Sequence, residues 1–112
     1  MDISLRLQKI LESRGFTVVM TRSEDRDVTY AGSPDMMELE ARSDVANSIN
    51  ADAFVSIHTN AAEMPNVGTG VSSYVHDTNP SAGSLSMQAA IHAELVRTTQ
   101  KLYVPTFRDW TN

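Results

Sequence analysis

The chain has 112 residues, 41% of them hydrophobic and 21% charged, which suffices for one compact domain with a modest core but not for two. Its formal net charge of −5 argues against a nucleic-acid binder, since contact with phosphates requires a basic face. The absence of cysteine excludes disulfides and thiolate metal sites, and no apolar stretch approaches the roughly 20 residues that span a bilayer.

The N-terminal part is predicted to form a helix followed by a strand. Ile3, Leu7 and Ile10 share one helical face, and Gly15 is typical of the residue that ends a helix. Residues 16–21 are apolar and β-branched, which predicts a buried strand. No basic region followed by an apolar run precedes these elements, so no signal peptide is predicted.

The middle of the chain is predicted to continue with a loop, a helix and a second strand. Residues 22–35 are rich in charged and turn-forming residues, which is typical of a surface loop. A helix is expected from about residue 35 or 36 to about residue 50, because apolar residues recur there at helical spacing. Residues 53–58 are apolar on both faces until His58, which suits a strand in a sheet that helices cover on both sides.

The remaining chain predicts one more strand and one more helix. Residues 59–69 indicate a loop, residues 70–76 alternate as a third strand does, and residues 77–83 form a turn-rich connection. A third helix is expected over about residues 84–101, and residues 103–112 show no clear period. This order of elements predicts an α/β fold: a three-layer sandwich whose mostly parallel sheet is covered by helices.

His58 is the first candidate for chemistry because it stands at the end of a predicted strand. In open α/β sheets, ligands bind beyond the carboxyl ends of the strands, and a neutral imidazole there can coordinate zinc. Taken alone, a histidine at a strand end is more often a hydrogen-bonded structural residue. A nucleophilic Ser56 with His58 as its base is a poor alternative, because neither an aspartate nor a glycine elbow accompanies the pair.

Two other histidines offer weaker alternatives. His76 ends the third predicted strand and is followed by Asp77, so these two and His58 would form a separate metal site if the two strands were neighbours. A solvated strand end is the interpretation that we favour for His76. His92 lies inside the third predicted helix and is expected to be a packed or surface residue.

Two arginines lie next to the predicted strands and helices. Arg22 follows the first predicted strand, and Arg42 lies on the inner face of the second predicted helix, where an unpaired charge is costly. Pairing inside the protein is the expected role of both, although either can orient a substrate carboxylate through a bidentate contact. Three acidic residues are expected on the solvated side of the second helix: Glu38, Glu40 and Asp44.

The sequence string as a whole is more specific than any single residue. Segments 14–22, 39–42 and 50–61 together resemble the N-acetylmuramoyl-L-alanine amidase family of zinc hydrolases. This family occurs in bacterial autolysins, cell-separation amidases, sporulation amidases and phage endolysins. The resemblance covers about residues 3–99 and implies that residues 1–112 are part of one amidase catalytic domain.

The resemblance implies an enzymatic activity and its substrate. Members of the family hydrolyse the amide bond between the lactyl group of N-acetylmuramic acid and the L-alanine of the stem peptide in peptidoglycan. The resemblance therefore implies a hydrolase with peptidoglycan as its partner. It also implies a location in the cell envelope or outside the cell.

The family also implies a zinc site and roles for two residues. Its zinc is held by a histidine in an early His-Gly-Gly loop, by a glutamate that opens the first helix, and by the histidine of a Ser-Ile-His-x-Asn motif. Residues 56–60 match this last motif. The resemblance therefore implies His58 as a metal ligand and Asn60 as a substrate-binding residue beside the site.

The sequence departs from the family pattern outside this motif. No His-Gly-Gly loop or glutamate precedes the first helix, and the late strand with the general-base glutamate has no counterpart, since neither Glu63 nor Glu94 matches it. No catalytic residue is therefore assigned in this chain, its zinc site is expected to be incomplete, and the isolated chain is expected to have little or no activity. The alternative is a non-catalytic remnant of the amidase fold that binds wall fragments or a protein partner.

The same departures predict a sheet that is truncated at both ends. Loss of the first and last strands would leave open apolar edges, one of them beside the predicted strand at residues 16–21. Open sheet edges pair readily with other chains. Self-association through these edges is therefore expected.

Overall fold

The computed structural model describes residues 1–59, 70–103 and 109–111. In that part of the chain, the helices and strands in order are α1 (Asp2–Ser13), α2 (Asp35–Ser48), β1 (Val71–Ser73), α3 (Ala82–Tyr103) and β2 (Asp109–Thr111). The chain divides into two compact units, residues 1–59 with α1 and α2, and residues 60–112 with β1, α3 and β2. None of the described helices is both long and apolar enough to cross a membrane.

Helix α1 opens the first unit, and its predicted C-terminal stop is confirmed. Gly15 adopts a φ of 90°, in the left-handed region that favours glycine. This turn lets the N–H of Gly15 donate to the carbonyl of Glu12 and the N–H of Phe16 donate to the carbonyl of Leu11, both at 3.1 Å. The two hydrogen bonds satisfy carbonyl groups that the end of a helix otherwise leaves unpaired.

Helix α2 ends with the same pair of hydrogen bonds, built on an asparagine. Asn50 has a φ of 53°, a conformation that its short polar side chain tolerates. Its N–H donates to the carbonyl of Asn47 at 3.2 Å, and the N–H of Ala51 donates to the carbonyl of Ala46 at 3.0 Å. The predicted end of this helix near Asn50 is therefore confirmed.

The second unit contains α3 and two short strands. β1 and β2 pair in parallel, with Ser73 opposite Thr111. Ser81 caps α3, since its hydroxyl accepts a hydrogen bond from the N–H of Ser84 at 3.0 Å. Gln88 on α3 donates from Nε2 to the carbonyl of Ser73 at 2.9 Å, which joins the helix to β1.

The predicted three-layer α/β sandwich with a mostly parallel sheet is wrong. Neither residues 16–21 nor residues 53–58 form a strand, and the sheet in the described part of the chain consists of two strands of three residues each. Apolar and β-branched residues favour strands only where a neighbour supplies hydrogen bonds and a covering layer supplies burial. Here the side chains of Phe16 and Phe54 remain 61% and 43% exposed, so no layer of the described residues covers them. The third strand, predicted over residues 70–76, is limited to Val71–Ser73, which is β1.

The best-covered side chains are polar. Among the described residues no apolar side chain is buried, whereas Glu38 in the first unit and His92 in the second are each only 6% exposed. Large apolar side chains stay at the surface, among them Ile3 and Val19 at 60% and 53% exposed. Because buried polar groups need hydrogen-bond partners, the contacts of Glu38 and His92 fix the local structure of each unit.

Candidate functional site

His58 lies on an exposed segment of the first unit and contacts Ser56, with 2.8 Å between its Nε2 and the serine Oγ. If Nε2 carries the proton and donates to the hydroxyl oxygen, Nδ1 presents a lone pair to a metal. If the hydroxyl donates to Nε2, Nδ1 carries the proton instead. The contact therefore orients the imidazole, and the first tautomer is the one that leaves Nδ1 available as a ligand.

The same distance also suits a serine nucleophile and its base. Such a pair needs a third group, usually a carboxylate, that orients the other ring nitrogen. Within the part of the chain that the structure describes, no carboxylate forms an ion pair with His58. The Ser56–His58 pair therefore lacks an ion-paired third member among the described residues.

The described residues do not by themselves fit a zinc ion. No three histidine, aspartate or glutamate side chains come together in the described ranges, whereas zinc sites use three or four protein ligands. Because His58 belongs to the first unit and His76 and Asp77 to the second, the alternative metal site formed by these three residues stays a prediction. The predictions for Asn60 and Glu63 fall outside the described residues.

His76 has a local role in the second unit. Its Nδ1 accepts a hydrogen bond from the N–H of Asn79 at 3.2 Å, and the Thr78 hydroxyl lies 3.3 Å from the same nitrogen. The Asp77 carboxylate is 3.8 Å from this nitrogen, and both side chains are largely exposed. These contacts form a solvated turn after β1, which confirms the interpretation that we favoured from the sequence.

His92 is buried against β1, so of the two positions left open by the sequence, packed or surface, it takes the packed one. Its Nδ1 lies 2.9 Å from the hydroxyl of Ser73, and the neighbouring Gln88 bonds the carbonyl of the same serine. The imidazole of His92 and the carboxamide of Gln88, both on α3, thus contact the same residue of β1. His92 therefore holds helix and strand together.

Glu38 was placed on the solvated side of α2 by the sequence analysis, and this prediction is wrong. Its Oε2 accepts a hydrogen bond from the N–H of Val28 at 2.7 Å. Its Oε1 accepts three more, from the N–H of Thr29 at 2.9 Å and from the hydroxyls of Thr29 and Ser33, both at 2.6 Å. Four donors therefore surround one buried carboxylate.

These hydrogen bonds stabilise the ionised form of Glu38. The Ser33 hydroxyl and then the Thr29 hydroxyl lower the pKa of Glu38 from 4.5 to about 2. Its place in the first turn of α2, where the helix dipole favours negative charge, acts in the same direction. No local sequence pattern signals this role, because Ser33 and Thr29 lie five and nine residues before Glu38, outside the spacing of a capping box.

Residues 27–33, which we call the Glu38 loop, are also bonded to one another. The N–H of Gly32 donates to the carboxylate of Asp27 at 2.8 Å, and the N–H of Ser33 donates to the carbonyl of Tyr30 at 3.0 Å. The loop is therefore fixed twice, once within itself and once on α2.

The Glu38 loop contributes to a cavity of about 690 Å³ that is lined by residues 21–22 and 25–31, a volume within the range of small-ligand sites. Arg22 donates from Nη1 to the carbonyl of Arg26 at 2.8 Å, and its side chain is 28% exposed. The Asp25 carboxylate is 3.9 Å from Arg22 but 93% exposed, so this ion pair is weak. The pairing expected for Arg22 is thus confirmed, mainly through a backbone carbonyl.

Arg42 does not show the pairing that the sequence analysis expected. Its side chain on α2 is half-buried, and its Nε is buried without a hydrogen-bond partner in the described part of the chain. A buried donor without an acceptor is destabilising. Arg42 therefore remains a residue whose acceptor the described contacts do not supply.

Glu94 takes part in an exposed ion pair within α3. Nε and Nη2 of Arg97 donate to its Oε2 at 3.0 Å and 2.8 Å. This hydrogen bond and the attraction between the charges lower the pKa of Glu94 and raise the pKa of Arg97. The pair is typical of residues three apart on a helix surface.

Comparison with known proteins places the chain in a family. Residues 1–108 match the family model of N-acetylmuramoyl-L-alanine amidases. The chain is similar to the sporulation-specific N-acetylmuramoyl-L-alanine amidase of Bacillus subtilis (strain 168), with 31% identity over 99 residues, or 87% of this chain and 33% of that protein. It therefore spans about a third of the length of this curated relative. No solved structure matches it.

Proposed function

This chain belongs to the N-acetylmuramoyl-L-alanine amidase family, as its sequence predicted, and from that membership we propose that the protein carrying it hydrolyses the amide bond between N-acetylmuramic acid and L-alanine in peptidoglycan. The observation that supports this most is the family match over residues 1–108, nearly the whole chain. In the reaction, water adds across the amide, which yields a lactyl carboxylate and a free amino group on L-alanine.

His58 and Asn60 are the residues that we propose for this reaction. The exposed position of His58 and its contact with the Ser56 hydroxyl support a role as one ligand of a zinc ion. Zinc, when bound, would polarise the substrate carbonyl and activate water. Because the described residues contain no group of three candidate ligands, the further ligands are proposed to come from outside them. Asn60, next but one in the chain, is proposed to contact substrate.

The substrate also implies a location. We propose that the protein acts in the cell envelope or outside the cell, because its proposed substrate, peptidoglycan, is found there. The net charge of −5 argues against nucleic acid as a partner.

The direct test is the identity of the bond that is cut. The full-length product of the gene encoding this chain would be incubated with purified peptidoglycan, and the soluble products would be analysed by mass spectrometry. Release of stem peptides that begin with a free L-alanine supports the proposal. Release of disaccharides with new reducing ends, or of peptides cut within the stem, contradicts it.

The 112-residue chain alone is expected to show little or no such release, because the described residues do not assemble a zinc site. The same digestion with this chain checks the expectation. Zinc-dependent release of stem peptides by the 112-residue chain, at a rate comparable to that of the full-length product, would refute the prediction that its zinc site is incomplete. The alternative, a non-catalytic remnant that binds wall fragments, predicts instead that both proteins sediment with peptidoglycan and that neither releases peptide.

Self-association is also proposed, but not through the open sheet edge that was expected beside residues 16–21. The sheet edge expected beside residues 16–21 does not exist, since that segment forms no strand. What supports association is the exposure of apolar side chains in the first unit, such as Ile10 and Phe16 at 52% and 61% exposed. Sedimentation velocity over a range of concentrations tests this, and a monomer at all of them contradicts it.

A further inference from the structure

The cavity beside the Glu38 loop has no part in the roles assigned so far, and the charges that line it balance. Its charged lining residues are two arginines, Arg22 and Arg26, and two aspartates, Asp25 and Asp27. A lining without net formal charge gives no advantage to a ligand that carries a net charge of either sign. It matches a neutral ligand that both donates and accepts hydrogen bonds.

Donors and acceptors are both available at this cavity. Among the described contacts, Arg22 uses one of its five N–H groups, in the hydrogen bond to the carbonyl of Arg26. The side chain of Arg26 itself is exposed. The Asp25 carboxylate is 93% exposed, and its described partner Arg22 is 3.9 Å away, which is beyond hydrogen-bond distance. The lining therefore contains guanidinium donors and a carboxylate acceptor whose capacity the described residues do not exhaust.

Tyr30 adds an aromatic surface to the same lining. It is 57% exposed although it lines the cavity, and its hydroxyl has no hydrogen bond in the described part of the chain. A tyrosine ring offers an apolar face beside a polar tip. The C–H groups on one face of a sugar ring can pack against such an aromatic face. The hydroxyl groups of the sugar, each a donor and an acceptor, then meet charged side chains at its edge.

One wall of the cavity is fixed before any ligand binds. Val28 and Thr29 line it, and their backbone N–H groups are bonded to the buried carboxylate of Glu38 at 2.7 Å and 2.9 Å. Tyr30 follows directly, and its carbonyl accepts a hydrogen bond from the N–H of Ser33 at 3.0 Å. The backbone that carries the aromatic ring is therefore ordered on both sides, so little conformational entropy is lost there when a ligand binds.

We propose that this cavity is a subsite for an uncharged sugar unit of the peptidoglycan glycan strand, which stacks on Tyr30 with Arg22 and Asp25 at its edge. The proposal rests on the proposed function, which supplies the substrate class. Where the lactyl group of N-acetylmuramic acid is bound in an amide, the sugar carries no charge, and this agrees with the balanced lining. The chain thereby recognises the glycan as well as the peptide.

The probe is tetra-N-acetylchitotetraose, a soluble and uncharged oligosaccharide without peptide. Its titration into the 112-residue chain, followed through NMR chemical shifts of the backbone amides, should produce saturable shifts at residues 25–31. The affinity should be the same in about 0.05 M and about 0.5 M salt, because screening acts only on interactions between charges. Shifts that do not saturate, or an affinity that falls as salt is added, would overturn the subsite.

Three variants locate the stacking surface. Tyr30→Ala removes the ring and should weaken binding by about fivefold or more, whereas Tyr30→Phe keeps the ring and should retain most of the affinity. Tyr74→Ala in the second unit is the matched control, because Tyr74 is 69% exposed and does not line the cavity. If Tyr74→Ala lowers the affinity as much as Tyr30→Ala does, the stacking is non-specific and the subsite is refuted.

Failure of the subsite and failure of the enzymatic proposal give different results. The probe has no lactyl amide, so its binding is measured without turnover. Binding that depends on Tyr30, without release of stem peptides by the full-length gene product, supports the subsite and rejects the activity. Release of stem peptides together with binding that Tyr30→Ala leaves unchanged rejects the subsite alone. Circular dichroism of each variant establishes that the helices are retained.

Discussion

Two segments of the first unit differ in how the described contacts hold them. The Glu38 loop is bonded to the Glu38 carboxylate by four donors and to itself by two further hydrogen bonds. Residues 53–59, which contain His58, are exposed throughout, and the side-chain contact described there joins Ser56 to His58. The sequence motif of the family thus lies in the less constrained of the two segments.

The two segments differ in what each needs in order to adopt a fixed geometry. A loop fixed by a carboxylate on the adjacent helix needs nothing beyond its own dozen residues. A metal ligand needs other ligands, which come from distant parts of a chain, and an orienting partner for its second nitrogen. We infer that the Glu38 loop is ordered by local chemistry, whereas the geometry of His58 depends on groups outside the described residues.

The largest effect is expected from Glu38→Ala. The substitution leaves the N–H groups of Val28 and Thr29 without their acceptor and frees the loop, so the melting temperature should fall by several degrees. Glu94→Ala, which removes an exposed carboxylate from α3, is the control and should leave the melting temperature unchanged. Equal melting temperatures for the two variants would show that Glu38 does not hold the loop.

The next effect is a dependence of stability on pH. Because the pKa of Glu38 is lowered from 4.5 to about 2 in the folded chain, its ionised form stabilises the fold above about pH 4.5, and this contribution disappears as the pH falls toward 2. The difference in melting temperature between the wild type and Glu38→Gln should therefore shrink over this interval. A difference that stays constant from pH 7 to pH 2 would contradict the buried, hydrogen-bonded carboxylate.

A smaller effect distinguishes two histidines. His92→Ala removes a buried ring that contacts Ser73 and should cost about 1–3 kcal/mol of unfolding free energy. His58→Ala on the exposed segment should change it by less than about 0.5 kcal/mol. Urea unfolding of the two variants measures both quantities. Similar losses of unfolding free energy in the two variants would mean that the segment 53–59 contributes to stability as much as the packing of α3 on β1 does.

Much of the helical structure was predictable because its signals are local. Gly15 and Asn50 mark the ends of α1 and α2 through conformations that few other residues adopt, and the structure uses both in the expected places. The sheet was not predictable from residues 16–21 and 53–58, because a strand depends on a partner elsewhere in the chain. Their apolar composition satisfied the propensity for a strand, but the described fold provides no ladder for them.

The candidate site divides in the same way. The family motif identified His58 without any knowledge of the fold, and the role of His58 as a metal ligand remains a prediction. Glu38 was missed because an acidic residue in the first turn of a helix is usually solvated, and only the position of Val28, Thr29 and Ser33 around it shows otherwise.

The role of His58 can be tested directly by measuring metal content. The full-length product of the gene encoding this chain and its His58→Ala variant would be purified without added metal and analysed by mass spectrometry for zinc. If His58 is a ligand, the wild type should contain about one zinc ion per chain and the variant almost none. Equal zinc content in the two proteins would contradict the assignment.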